Sequence, residues 1–424
     1  MDTGGMKVHK AVIVTKSTNF EPRAEIVGEY LKGRGIEVTY IYADFSHREK
    51  RKLNRSEPDH IYIDTFPYRR NLSWQRMWSQ VDFAKKVEKK LKELDFDLLY
   101  VLIPGNSLVP MAVRAAEEKA EQRERKVKAI RCADSGAKDV TDTDASKPRV
   151  VFDIIDLWPE SLRLGKLEKI WPFTYWKQLR DKDISKADLI VTECDLYRER
   201  LELDPKKSVT MYWGKKETDI IPSSIPTTDG KALEIAYLGA INNIIDIDGI
   251  VRLLRILNQR LEPDGRSVLL HVIGDGENRD MFLQSLSSVG IEYQYHGAVF
   301  DEMEKDKILS RCNYGLNMMR PGVCVGMTMK SIDYWSHGLP IINNIPGDTE
   351  RFCREQGLGI NVDMSRHDKS WEEPADHTGK PDPIDDILTG RFTEKDNKDH
   401  ILDIYKTLFT ELAMHKVLDK YLPQ

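Results

Sequence analysis

Two hydrophobic rhythms alternate along this chain. In the first half, short β-branched apolar runs recur: KAVIVTK (10–16), EVTYIYAD (37–44), HIYIDTF (60–66), DLLYVLIP (97–104), RVVFDIID (149–156), ADLIVTEC (187–194) and SVTMYWG (208–214). Helically periodic stretches separate them, the first opening near Pro22 and stopping at Gly33 and Gly35. Continuous apolar runs suit strands buried on both faces, so the pattern predicts a parallel sheet layered by helices. The second half repeats it with LEIAYLGA (233–240), SVLLHVIGDG (267–276), IEYQYHGAV (291–299), YGLNMM (314–319), LPIINNI (339–345) and LGINVD (358–363). Pro, Ser, Thr and Gly cluster over 215–231, which predicts a linker between Rossmann-like domains at 1–214 and 232–399. Residues 133–149 read as a surface loop and 364–399 as a mobile one. A last helix from about His400 carries Ile401, Ile404, Leu408 and Leu412 at helical spacing. Two such domains predict a cleft between them, the usual place for a two-substrate reaction.

Composition narrows the class. The 424 residues are 40% hydrophobic and 31% charged with net charge −5, which describes a globular protein without the overall basicity of a nucleic-acid binder. The five cysteines (Cys132, Cys194, Cys312, Cys324, Cys353) form no CxxC pair and suit a reducing cytoplasm. The apolar run near the amino terminus is too short for a signal peptide, and no run of about 18 apolar residues predicts a membrane span.

The informative stretch is RPGVCVGMTMKSIDYWSHGLPIINN (320–344): a glycine loop after a buried strand, a short helix with Lys330 and Asp333, and a strand after Gly338. Ligands of open α/β sheets sit at such strand ends, where a helix amino terminus offers N–H groups to phosphate. Lys330, Asp333, Tyr334 and the turn SHGLPII resemble the carboxyl-terminal domain of nucleotide-sugar glycosyltransferases of the two-Rossmann (GT-B) fold, above all the retaining family 4 of bacterial polysaccharide assembly. Val325 stands where that family has its first acid. DIIDLWPES (153–161) resembles a segment of capsule and O-antigen transferases, and ADLIVTECDLYRERL, YLGAINNIIDIDGIVRLL and VIGDGENRDMFL follow the family in register.

The resemblance implies an α/β protein of two Rossmann-like domains facing across a cleft, with the carboxyl-terminal helix crossing back to the first domain. It implies transfer of a sugar from a nucleotide-sugar donor to a saccharide or lipid-linked saccharide, with retention. Lys330 and Arg320 would meet the diphosphate charge; a charged contact to phosphate is worth ~1.5–3 kcal/mol. Solvated surface cations are the alternative. Asp333 would bind the ribose, or else is a helix charge. Gly239, Asn242, Asn243, Gly274, Val299, Gly326, Met327 and Thr328 complete the donor side, although GAINN (239–243) lacks the cations family members often place there. On the acceptor side stand Thr18, Asn19, Arg23, Asp153 and Glu160, with Asp156 as the first choice to orient or deprotonate the acceptor, or as a helix cap. No metal is expected, because DID (246–248) reads as a helix start. No other cofactor is implied.

Between His47 and Lys92, 13 Lys and Arg face 6 Asp and Glu. Trp74, Met77, Trp78 and Val81 share one helical face there, which fits either an anionic membrane surface or packing on the sheet. Two rivals stay open: a non-catalytic homologue serving a partner transferase, motivated by Val325 and GAINN, and a nucleotide-sugar epimerase of the same fold.

Overall fold

The structure, a computed structural model, describes residues 8–47, 49–70, 73–133, 146–162, 165, 169–216, 232–364 and 382–422. It divides into two compact units: 1–213 with 414–424, and 214–413. The 133–149 loop and the 215–231 linker lie mostly outside the described residues.

In the first unit, β1 (Lys10–Thr15) and β2 (Glu37–Ala43) flank α1 (Glu21–Lys32) in the chain. A two-residue hairpin, β3 (Phe45–Ser46) and β4 (Arg51–Lys52), precedes β5 (His60–Ile63). After α2 (Trp74–Glu93) come β6 (Leu98–Ile103), α3 (Leu108–Ala133), β7 (Arg149–Ile154), α4 (Phe173–Asp181), β8 (Leu189–Thr192), α5 (Asp195–Arg200) and β9 (Ser208–Thr210). The seven-stranded sheet runs β5-β2-β1-β6-β7-β8-β9, and every adjacent pair is parallel. All six residues of β6 are buried, as its apolar run requires of a central strand. Strand order reverses between β1 and β6, so the loops after these two strands border the switch point where ligands gather.

α2 departs from the expected packing. Its buried face is Ser79, Gln80, Phe83, Ala84, Val87 and Leu91, while Trp74 and Trp78 are 61% and 62% exposed. Ser73 caps the helix by accepting from the Arg76 N–H at 3.2 Å. The tryptophans thus sit in the first turns, before the packed face takes over.

The second unit repeats the plan. β10 (Ala232–Leu238), α6 (Ile247–Leu261), β11 (Ser267–Ile273), α7 (Arg279–Ser288) and β12 (Glu292–Gly297) build one wing. α8 (Glu302–Leu309), β13 (Tyr314–Asn317), α9 (Met329–Ser336), β14 (Ile341–Asn343), α10 (Asp348–Gln356) and β15 (Gly359–Asn361) build the other. The parallel order is β12-β11-β10-β13-β14-β15, with the switch point between β10 and β13. Asp246 caps α6, accepting from the Gly249 N–H at 3.1 Å, so DID does start a helix. Ile250, Leu253, Leu254 and Leu257 carry that helix onto the core.

The stretch expected to be a mobile loop contains helices. α11 (Pro383–Leu388) has Asp382 accepting from the Ile384 N–H at 3.0 Å and buries Ile384 and Ile387, and α12 (Lys395–Leu408) starts soon after. Proline at the first helical position and the Asx cap explain the start. Residues 365–381 are outside the described set. The expected single last helix is two, because the chain breaks at Phe409 and Thr410 before α13 (Glu411–Tyr421). Residues from 414 onward cluster with the first unit.

Candidate functional site

In the second unit the loops after β10 and β11 lie backbone to backbone. Gly274 takes φ 147°, and a Cβ there would fall 1.9 Å from the Gly239 carbonyl oxygen, so only glycine fits. Asp275 and Asn278 brace the next turn of GAINN: the Ile241 N–H donates to the Asp275 carbonyl at 3.0 Å, and the Asn278 N–H to the Ile241 carbonyl at 3.0 Å.

Lys330 hangs over this platform from the first turn of α9. Its Cε would be 3.8 Å from a Cβ on Gly239, and its Nζ lies 4.8 Å above the Tyr237 ring. The ammonium is buried and has no hydrogen-bond partner among the described residues. Burial alone pulls its pKa down to about 8. A desolvated cation without a partner is costly unless something negative joins it.

Tyr334, one turn along, sets that placement. Its hydroxyl accepts from the Leu238 N–H at 2.7 Å and donates to the Ala236 carbonyl at 3.1 Å, which pins α9 to the end of β10. Gly315 of β13 lies under its ring, where a Cβ would fall 2.5 Å from Cγ. Tyr237 and Tyr334 are the site residues that a search for charged groups passes over; the signal for Tyr334 was its place in the Lys330–Asp333–Tyr334 pattern.

The other donor-side residues divide. Thr328 caps α9, accepting from the Ser331 N–H at 3.2 Å and donating to Asn317 Oδ1 at 2.9 Å. The Gly326 carbonyl accepts from the Thr349 hydroxyl at 2.7 Å, and Met327 is buried beside them. These three shape the loop. Val299 is half-buried after β12. Asn242 Oδ1 accepts from the Ile244 N–H at 3.2 Å, and Asn243 Nδ2 donates to Glu277 at 2.7 Å, so both amides brace the loop. The Asp333 carboxylate ion-pairs with Lys215. Arg320 Nε donates to the Ile245 carbonyl at 3.2 Å, and its side chain lines a neighbouring cavity of about 1060 Å³ in which neither Lys330 nor Gly239 takes part. Asn344, Arg354, Asn361 and Arg391 line it too.

In the first unit, two of the expected acceptor-side charges belong to the interior and a third is half-buried in an ion pair. Arg23 and Asp153 are wholly buried and form a two-pronged ion pair at 2.8 and 3.0 Å. Arg23 also donates to the Met211 carbonyl, and the Tyr100 hydroxyl donates to Asp153. Glu160 is held by the buried Arg180 at 2.6 and 3.1 Å; burial works to raise its pKa, and the guanidinium overrides it to leave a net lowering. Arg23 and Asp153 bond each other, Met211 and Tyr100, and Glu160 bonds Arg180, which suits all three to hold strands and loops together. Asp156 follows β7, and its pKa is raised, chiefly by burial, against the pull of a Ser161 hydrogen bond and Arg76. Thr18 and Asn19 form a 3-10 turn after β1, half-buried and exposed respectively. Among the described residues, no group of three or more His, Cys, Asp or Glu is placed to hold a metal ion.

No family model and no curated protein matches the sequence. Solved structures do resemble it. The lipopolysaccharide outer core galactosyltransferase WaaB, in its apo form, superposes with TM-score 0.62 at 12% identity, over 98% of this chain and 99% of that one. Sucrose-phosphate synthase from Thermosynechococcus elongatus gives 0.63 at 10%, over 97% and 98%. Anabaena HepE in complex with UDP and glucose gives 0.58 at 11%, over 98% and 99%. The chain therefore has the two-Rossmann GT-B fold.

Proposed function

We propose that this chain is a glycosyltransferase that moves a hexose from a nucleotide-sugar donor to a saccharide or lipid-linked saccharide in polysaccharide or glycoconjugate assembly. The observation that carries the reading is the buried ammonium of Lys330 above Gly239 at the switch point of the second unit, without a hydrogen-bond partner among the described residues. As the bond from the anomeric carbon to the diphosphate breaks, negative charge collects on the leaving phosphate oxygen. A preorganised cation in a desolvated place stabilises that charge more than water does. With Lys330 in this part, the reaction needs no metal, and retention follows the family resemblance. The likeness to HepE, a structure with UDP and glucose, supports a UDP-sugar as the first donor to try.

A peripheral seat on the inner face of a membrane belongs to the same reading. No helix among the described residues is long and apolar enough to cross a membrane. Trp171 is 67% exposed, and its ring lies 5.5 Å from that of exposed Trp74, an aromatic pair of the kind that enters headgroup regions.

A second reading, a non-catalytic homologue, is favoured by Asp333 being engaged with Lys215 and by both asparagines of GAINN bracing the loop. Thermal shifts with UDP-, GDP-, CMP- and dTDP-sugars separate the two. A ligand at ~100 times its dissociation constant adds about 2.7 kcal/mol of stability. A midpoint rise in the wild type that Lys330→Ala abolishes supports the transferase, and sugar transfer undiminished by EDTA supports the metal-free form. No rise with any donor sinks it in favour of the second reading.

A further inference from the structure

The cavity beside Arg320 has no part in donor binding as proposed. Its volume is about 1060 Å³, and the described residues that line it all belong to the second unit, at the carboxyl ends of β13, β14 and β15 and in the loops nearby. Pockets for small molecules span about 300–1,000 Å³, so this one is large enough for an extended occupant. The donor-side residues Gly326, Met327, Thr328 and Lys330 do not line it. One wall is a ladder of side-chain amides. Asn317, Asn343 and Asn361 stand in register on β13, β14 and β15. Asn317 Nδ2 donates to Asn343 Oδ1 at 3.0 Å, and Asn343 Nδ2 to Asn361 Oδ1 at 2.9 Å. The first two are fully buried, and the ladder ends at the half-buried Asn361, which donates to the Glu350 carbonyl at 2.9 Å. Such a network holds its members in one geometry because each misplaced amide would lose its partner. Arg320 is held as firmly. Its N–H donates to the Ile244 carbonyl at 2.9 Å and its Nε to the Ile245 carbonyl at 3.2 Å. These bonds fix the guanidinium by its inner nitrogen.

Charge along the lining is close to balanced. Three arginines and four carboxylates are among the described lining residues, and one of the four, Asp246, sits at the positive end of α6. Arg391 donates to both oxygens of Asp386 at 3.2 and 3.3 Å, and Arg354 lies 3.4 Å from Glu350. A phosphate or a carboxylate would therefore meet as much repulsion as attraction. The lining instead offers donors and acceptors side by side, in amides and planar ion pairs. The apolar surfaces of Pro321, Val323, Pro346 and Phe392 lie among them. Each hydroxyl of a sugar both donates and accepts, and the ring between the hydroxyls presents C–H groups that pack on apolar surface. A neutral saccharide matches both parts of this lining.

We propose that this cavity is a glycan-binding site of the second unit, which takes a neutral oligosaccharide with Arg320, Asn361 and Arg391 as polar contacts. The saccharide site stands on the cavity alone. That the saccharide is part of the acceptor, held away from its reacting end, rests on the transferase reading.

The test applies the full chain to a printed array of short neutral and acidic oligosaccharides, followed by calorimetric titration of the best-bound neutral one. Wild type and Lys330→Ala are both expected to bind it. Arg320→Gln and Arg391→Gln are each expected to weaken binding about tenfold, as the loss of a charged hydrogen bond does. The Arg391 side chain is 59% exposed, so Arg391→Gln leaves the fold in place, and the thermal midpoint checks this for both variants. No bound neutral oligosaccharide, a preference for acidic ones, or binding indifferent to both changes overturns the site. Sugar transferred from a nucleotide donor to the bound oligosaccharide supports its being the acceptor. Binding without transfer, by a protein whose nucleotide-sugar binding does depend on Lys330, overturns that assignment. The donor reading fails separately, when nucleotide-sugar binding to the wild type is unmoved by Lys330→Ala.

Discussion

At the scale of single residues, burial decides what a charge is for. Lys330 keeps an ammonium at a strand end with no hydrogen-bond partner among the described residues, and its pKa near 8 leaves it charged at neutral pH. A bound diphosphate favours the charged form and pulls that pKa back up. Donor binding near pH 8 to 9 is therefore expected to take up protons, read as a dependence of calorimetric enthalpy on the buffer's ionisation heat, and Lys330→Ala should remove it. Arg23 and Asp153 show the opposite case. Asp153→Ala would leave the Arg23 guanidinium buried without its counter-ion, a change that costs about 3–5 kcal/mol in comparable pairs. Urea unfolding should register that loss, and a mere acceptor contact would not produce it. Nothing in one sequence separates these two fates. Arg23, Asp153 and Glu160 read as site residues because they stand near strand ends. Their partners, Met211, Tyr100 and Arg180, are far away along the chain.

At the scale of elements, the strands were legible and the helix faces less so. A parallel strand is buried on both sides, so runs such as LLYVLI announce themselves in composition alone. α2 carries apolar residues at helical spacing along more than one face, and only the tertiary structure shows that Phe83, Val87 and Leu91 pack while Trp74 and Trp78 stay out. Helices α11 and α12 were hidden in a Pro- and Asp-rich stretch because those same residues start helices as readily as they interrupt them. The vesicle consequence is direct: Trp74→Ala with Trp78→Ala is expected to lower co-sedimentation with anionic vesicles severalfold, without moving the thermal midpoint by more than a degree or two. Unchanged sedimentation would remove the membrane part of the reading. The seat of α9 offers a second test. Tyr334→Phe strips the partner from the buried Leu238 N–H, at a cost of about 1–3 kcal/mol. Since the same bond sets the height of Lys330 over Gly239, nucleotide-sugar affinity should fall along with stability. A stability loss with affinity intact would show that α9 does not need this tether to present its lysine.

At the scale of the whole molecule, the buried cations shape how stability depends on pH. Burial is the leading cause that lowers Lys16 to about 7 and Lys50, Lys330 and Lys398 to about 8, from an ordinary value of 10.5. Between those folded values and 10.5 the unfolded chain binds more protons than the folded one, so stability rises with pH, by at most ~1.4 kcal/mol per pH unit for each fully differing proton. Below about 7 the lysines are charged in both states and the penalty for burying them is present in full. On the acid side, His47, His271, His296 and His337 are all lowered, burial leading in each, so unfolding takes up protons there and stability falls further. On the alkaline side, Tyr100 and Tyr334 are raised by burial; they stay protonated when folded after the unfolded chain has lost its protons, and stability falls again above about 10. The empty protein is thus expected to be most stable between about pH 8 and 10, above the usual range of about 5 to 8. Urea midpoints across that range provide the measurement. A maximum that stays near pH 6 would mean that burial does not hold Lys16, Lys50, Lys330 and Lys398 below their ordinary range in the folded chain.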